Sequence, residues 1–443
     1  MRMFPKVLCG VLTLAGLVRA DSAGSAHQDY VSAAAHFSEA MDAYKAGNHS
    51  TFLHHMAVAC RLRSDHPTYH YYLAAAHALN HHPDKTATAL NHVAAWGLYL
   101  PADEQDDFQE LRDTEFVRSA FDALKANLQP TGTGELAFEL PANGGLWEGI
   151  AHRDATGETY FSDLHHAVIV SRDENGSIRR FARMPSPGFG CGGLAIDESH
   201  GLLWASSPAM PEVAGFEDAL AGRSELVAFS LTDGSVSHVV SIPFEVEKQN
   251  TLVNLTVAPD GTVYAADSTS PVVWAVAPRS REATRFVTID SPGERHSLQG
   301  TAVTPDGRWL FVADYSTGIH AVSTTNRQSS LLTLPNGPGT TLLGIDGLAL
   351  RGNTLIGLQN GVRPARVLSF SIKYNSRRDV APTLADWSIA AAAHSTLTDP
   401  TLATAGADAF LVIGNAGWSH FGPNAAPDSD VRSVPIVRIP FDS

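Results

Sequence analysis

Cysteine is scarce in this 443-residue chain, with Cys9, Cys60 and Cys191 its only three. No CxxC pair occurs, which argues against a structural zinc site and a disulfide scaffold. Once Cys9 is lost with a leader, either one bridge, Cys60–Cys191, or two free buried thiols remains. Charge is also sparse, at 17% of residues, and basic charge is in deficit: 31 Lys and Arg against 46 Asp and Glu, a formal net charge of −15. That sign is the opposite of what phosphate neutralisation demands, so nucleic acid is excluded as a partner and anionic membrane surfaces are disfavoured. No apolar run reaches the ~20 residues that cross a bilayer. The HExxH and GxSxG patterns are missing too, and with them zincin and serine-hydrolase readings.

What is present begins with a targeting pattern. Arg2 and Lys6 precede an apolar stretch, Val7 to Val18, and Val18-Arg19-Ala20 has a small-x-small form. Residues 1–20 therefore read as a signal peptide and the protein as exported, periplasmic or secreted. A short N-terminal anchor is the alternative.

Residues 21–128 are alanine-rich with helical period. Phe37, Met41 and Tyr44 share one face, Gly47 follows as a stop, and Pro67 opens a later helix. Five helices are predicted, the last capped by Asp113 or Thr114. Their short links resemble tetratricopeptide repeats, which implies a surface for a possible protein partner. Of the eleven histidines here, nine form a cluster: His49, His54, His55, His66, His70, His77, His81, His82 and His92. His77 and His81, one turn apart, could face one metal; the alternative is a set of surface imidazoles.

Residues 129–133 read as a linker, and helical period stops there. Six strand–turn–strand units then start at Gly149, Gly193, Asn254, Gly300, Gly347 and Thr401, 44 to 61 residues apart. Most are followed by a third strand. The pattern predicts a multidomain chain: an N-terminal all-α domain, then an all-β six-bladed β-propeller over 134–443, with "GELAFELP" closing the ring beside "VPIVRIP". A solenoid is the alternative. Pro259–Gly261 and Pro305–Gly307 read as hairpin turns. "GFGCGG" matches GxGxxG but precedes a strand, so it is no dinucleotide site. Cys191 could be a nucleophile or a buried structural thiol. The insert "SSPAMPEVAGFEDALAGRSELV" could lid a site or merely extend a blade.

In a propeller, chemistry gathers at the channel mouth, just before each innermost strand. In this register those residues are Glu148, Gly192, Val253, Gln299, Asp346 and Pro400, with Asn254 one place on. Two carboxylates and two amide oxygens suit a hard cation such as calcium. At these positions residues 134–443 resemble the senescence-marker-protein/gluconolactonase family and, more distantly, the paraoxonases. "LWEGIAH" matches the family's "EGP" start and "GIDGLAL" its "PDG" segment. The resemblance implies a six-bladed propeller with a divalent cation, most often calcium, in the channel, and hydrolysis of a small lactone or ester. It makes Glu148, Asn254, Gln299 and Asp346 the metal ligands, and Asp346 the catalytic base. The sequence departs from the family where its middle-blade asparagine becomes Val253; a β-bulge would be needed to bring Asn254 to the axis. A propeller that binds a ligand or protein without turnover is the second reading.

Overall fold

The computed structural model describes residues 22–441 apart from 245–248, 291–296, 336, 338, 378 and 422–431. The leader, with Cys9, lies outside the described residues. Among those described, no helix is long and apolar enough to cross a membrane.

Five α-helices come first: α1 (Ser22–Lys45), α2 (His49–Leu62), α3 (Pro67–Leu79), α4 (Pro83–Ala95) and α5 (Glu115–Ala126). Their limits follow local chemistry. Gly47, at φ +68°, ends the first helix, and Asn48 caps the second by accepting the amide of Thr51 at 3.1 Å. Pro67 and Pro83 sit in first turns, where a missing N–H costs nothing. Thr114 occupies the N-cap of α5, without a side-chain capping bond. Phe52, Met56, Leu90, Val93 and Phe108 form the helical core. Because α3 ends at Leu79, His81 falls beyond it at φ +57° and pairs with Glu110, while His77 meets His82 instead. The helix end is why one-turn spacing does not bring His77 and His81 together.

The rest is a six-bladed propeller built from six antiparallel sheets. Blade one is Trp147–Arg153, Glu158–Asp163, Val168–Arg172 and Ile178–Arg183; the innermost strands of blades two to six are Leu194–Asp197, Leu252–Val257, Leu298–Val303, Ile345–Arg351 and Ala403–Ala405. Each innermost strand touches its two neighbours, so the six close a ring around an axis. Glu135–Leu140 pairs with Val434–Pro440 in blade six, so the first strand of the propeller closes the ring with the last. Core clusters fill the gaps between adjacent blades, as radial packing requires. Gly261 and Gly307 take φ of +88° and +70°, which makes both PDG segments hairpin turns.

The segment between the two units is ordered: Thr131 and Gly132 pair with Ala392 and Ala391 at the edge of blade five. The helices rest on blades four and five. Tyr99 N donates to Arg363 O at 2.7 Å, Tyr30 Oη to Thr317 O at 3.5 Å, and Val362 packs against the helical core. Cys60 and Cys191 are both free and buried, in separate clusters. Burial raises the Cys191 thiol, which suits a packing group rather than a nucleophile.

Candidate functional site

Innermost strands begin with a bulge in four blades. In blade one, Trp147 pairs with Asp163 and Gly149 with Ser162, leaving Glu148 unpaired between them. In blade five, Ile345 pairs with Gln359 and Gly347 with Leu358, leaving Asp346 in the same position. Blade four bulges across Gln299 and Gly300, and blade three at Val253. The bulge re-aims the extra residue. The glycine after it permits a close approach: a Cβ on Gly347 would collide with the Thr401 carbonyl of the next blade.

The bulge in blade three falls on Val253 itself. Asn254 pairs with Ala266 in the register of Gly149 and Gly347, and its side chain lies against Gly193. Val253, not Asn254, therefore stands where Glu148 and Asp346 stand. Gln299 donates its amide nitrogen to Ser297 Oγ at 2.8 Å, so its carbonyl oxygen is the atom it can offer a ligand.

Glu148 and Asp346 are brought within electrostatic reach of each other, and a third carboxylate, Asp399, joins them. Burial and then the charges of Asp346 and Asp399 hold the Glu148 carboxyl well above the usual range. Burial, with the charge of Asp399, pushes Asp346 up to about 7 despite a hydrogen bond from Asn360. Burial also raises Asp399. Among the described residues, no Arg, Lys or His biases these three carboxylates.

Neutral donors hold the cluster in place. Trp418 Nε1 donates to Glu148 Oε2 at 3.0 Å. Asn360 Nδ2 donates to Asp346 Oδ2 at 2.6 Å and lies 3.5 Å from Asp399 Oδ1, while its own carbonyl accepts from Tyr315 Oη at 3.0 Å. Tyr315, Asn360 and Trp418 all lie in connections from a second to a third strand. Antiparallel pairing puts these connections on the face where the innermost strands begin, so they converge on the channel mouth. Sequence reasoning found none of these three, nor Asp399. The repeat register marks innermost strands only, and Asp399 precedes Pro400 by one place. The signal that was available lies in "LQNG" and "VADY", where polar residues follow directly on strands ending in apolar runs.

Two structures flank the cluster. The insert after Pro208 leans toward blade one, Ala214 N donating to His165 O at 2.9 Å. Its Met210, Val213 and Phe216 pack with Leu146, Leu164, Trp418 and Phe421 as an apolar rim. On the opposite rim the helices sit on the connections 314–317 and 360–366, which carry Tyr315 and Asn360.

The donor set is all oxygen. Buried carboxylates that repel one another, with no cationic side chain of the described residues biasing them, fit a hard divalent cation, whose charge would replace shared protons. Glu148, Asp346 and Asp399 do not make a trio with all ligand atoms within 4.8 Å of one another; among the described residues the group that does is His36, Glu39 and His55.

Comparison with protein-family models finds no match, and none is found among curated proteins. Among solved structures the chain is similar to a gluconolactonase from Xanthomonas campestris, at 15% identity and a TM-score of 0.44, over 68% of this chain and 88% of that one. It is also similar to regucalcin, a calcium-binding protein from Agrobacterium tumefaciens, at 13% identity and a TM-score of 0.43, over 69% and 96%. A virginiamycin B lyase from Staphylococcus aureus matches at 12% and 0.40, over 70% and 99%. Likeness at this level transfers no residue's role.

Proposed function

We propose that this is an exported propeller hydrolase that uses a divalent cation, calcium for this donor set, to open lactones or related esters. The observation that carries the reading is the buried, mutually repelling pair Glu148 and Asp346, placed by equivalent bulges at one channel mouth. Glu148 and Asp346 would hold the cation, with Gln299 able to add an amide oxygen and Asn254 the nearest amide to the place Val253 takes. When bound, the cation polarises the ester carbonyl.

The chain's own groups do the rest. The Asp346 carboxylate can take a proton from water and return it to the leaving alkoxide. Water adds to the carbonyl carbon, the ring C–O bond breaks, and a hydroxy acid results. Asn360 fixes the Asp346 carboxylate, and Trp418 orients Glu148. The apolar rim from Leu146 to Phe421 suits an uncharged substrate and keeps bulk water from the cluster.

The test is lactone hydrolysis by the purified protein, with calcium and with chelator. Turnover that chelator abolishes, and that Glu148→Gln and Asp346→Asn lose, supports the reading. Calcium-dependent stabilisation with no turnover on any lactone or ester would leave the second reading, a ligand-binding propeller with the tetratricopeptide-like helices as a docking surface for a protein. Val253 at the axial bulge and the helices seated beside the mouth are the observations that favour it.

A further inference from the structure

A second set of ligating side chains lies in the helical unit, far in sequence from the channel mouth. His36 and Glu39 are one turn apart on α1, and His55 faces them from α2. His36 Nδ1 and His55 Nδ1 are 2.9 Å apart. Glu39 Oε2 lies 2.9 Å from His55 Nδ1 and 3.5 Å from His36 Nδ1. Three ligand atoms from two helices thus form one small triangle, the trio noted above.

Protons alone serve this triangle poorly. Two imidazoles meet through the same ring nitrogen, so only one of them can donate across the contact. His55 Nδ1 faces both His36 Nδ1 and Glu39 Oε2 at 2.9 Å, and a single N–H between these three atoms cannot satisfy all of them. A cation at the centre satisfies all three atoms at once. Zinc bonds of about 2.0–2.1 Å to nitrogen or carboxylate oxygen put tetrahedral ligands roughly 3.3 Å apart. The observed sides of 2.9, 2.9 and 3.5 Å bracket that spacing.

We propose that α1 and α2 carry a divalent transition-metal site of the zinc class, held by His36 Nδ1, His55 Nδ1 and the Glu39 carboxylate. Glu39, with 60% of its side chain exposed, leaves a fourth position open to water. Two imidazoles and one carboxylate favour zinc over calcium, which prefers six or more oxygens. The ion clamps α1 to α2. That matters for the rest of the chain because α1 carries Tyr30, which reaches Thr317 O in blade four and lies 3.6 Å beneath the guanidinium of Arg63 from the end of α2. The site therefore stiffens the helical pair where it leans on the propeller.

The experiment strips the full-length chain with chelator and titrates it calorimetrically with Zn²⁺ alone, with melting followed in parallel. One zinc equivalent is expected that raises the melting temperature, and that His36→Ala and His55→Ala each weaken by about tenfold or more. Glu39→Gln, at an exposed position, serves the same purpose if a histidine variant fails to fold. A His77→Ala/His82→Ala variant removes the other close histidine pair and is expected to keep the equivalent. Co²⁺ should give the intense visible bands of a four-coordinate site in the native chain and not in Glu39→Gln. Zinc binding unchanged in the His36, His55 and Glu39 variants, or lost only with His77 and His82, overturns the assignment.

Discussion

The guanidinium of Arg366, fully buried in blade five, donates through Nη1 to the main-chain carbonyl of Trp96 at the end of α4. Its Nε donates to Gln359 Oε1 at 2.6 Å and its Nη2 to Thr340 Oγ1 at 2.7 Å. Burial lowers its pKa to about 9, which still leaves it charged at neutral pH. A buried charge held only by neutral acceptors depends on all of them. Arg366 thus ties the helices to the blade whose connection carries Asn360.

The first prediction concerns that tie. Arg366→Lys offers one ammonium where three acceptors are spread along a planar fork, so it should destabilise the full chain by on the order of 2–4 kcal/mol. Limited proteolysis should cut first between α4 and blade five. Residues 129–443 alone lose the Trp96 carbonyl but keep every blade; they should fold and melt lower than the whole chain. Insoluble product from that fragment would mean that the helices and propeller form one folding unit.

The second prediction follows from the raised carboxyls. A carboxyl whose folded pKa lies above its unfolded value of about 4 holds its proton in the native state after the unfolded chain has lost it. Stability is then lost as pH rises through the interval between the two values. Asp346, at about 7, sets that window at roughly pH 4 to 7, and Glu148 shifts in the same direction. Chelated protein should therefore melt lower at pH 8 than at pH 5. Calcium should reverse the loss, with its largest effect at pH 8. In Asp346→Asn the Asp346 share of the pH dependence should vanish, while Glu148, raised first by burial, keeps its own, and the calcium response should be lost. A melting temperature flat from pH 5 to 8 in chelator would contradict the clustering of the carboxylates.

Much of the fold was legible in the sequence because propeller repeats announce themselves: a glycine, an apolar strand, a tight turn and a second strand recur six times. Ring closure by 134–141 followed from the same count. The innermost-strand register located Glu148, Gln299 and Asp346 at bulges, and the helical periods of 30–128 gave all five helices. The rest of the cluster depends on chain reversals that no period marks. Asn360, Tyr315 and Trp418 lie in connections of differing length, and Asp399 reaches the axis from a segment that bridges in parallel to Asn415. His36 was invisible beside ten other histidines of the helical region because its partner lies nineteen residues away across a helical hairpin.

The third prediction concerns Trp418. Its indole N–H favours the ionised form of Glu148, opposing burial and the neighbouring charges. Trp418→Phe keeps most of the apolar rim but removes that donor, a hydrogen bond to a charged group worth about 1.5–3 kcal/mol. Calcium affinity should fall by about tenfold or more, in line with about 1.4 kcal/mol per decade. The rising limb of any activity–pH profile should move to higher pH. Melting of the chelated protein should change little, because protonated Glu148 no longer needs the donor. A large loss of chelated stability would instead assign Trp418 to packing alone.

The fourth prediction uses the bulge in blade three. A bulge there was the condition for an amide at the axis, and it exists, but it exposes Val253 to the axis rather than Asn254. Val253→Asn puts an amide oxygen in the register of Glu148 and Asp346, where a hard cation can use it. The side chains are close in volume, so the cost to the chelated fold should be small, about 1 kcal/mol. Calcium should bind more tightly by a factor of about ten, since one added oxygen ligand need supply only about 1.4 kcal/mol. Asn254→Ala, at the neighbouring position against Gly193, should change calcium affinity far less than Glu148→Gln. If Asn254→Ala instead abolishes binding and Val253→Asn leaves it untouched, the cation is held from the opposite side of the strand and the axial register is wrong. Calorimetric titration of the three variants decides between the two arrangements.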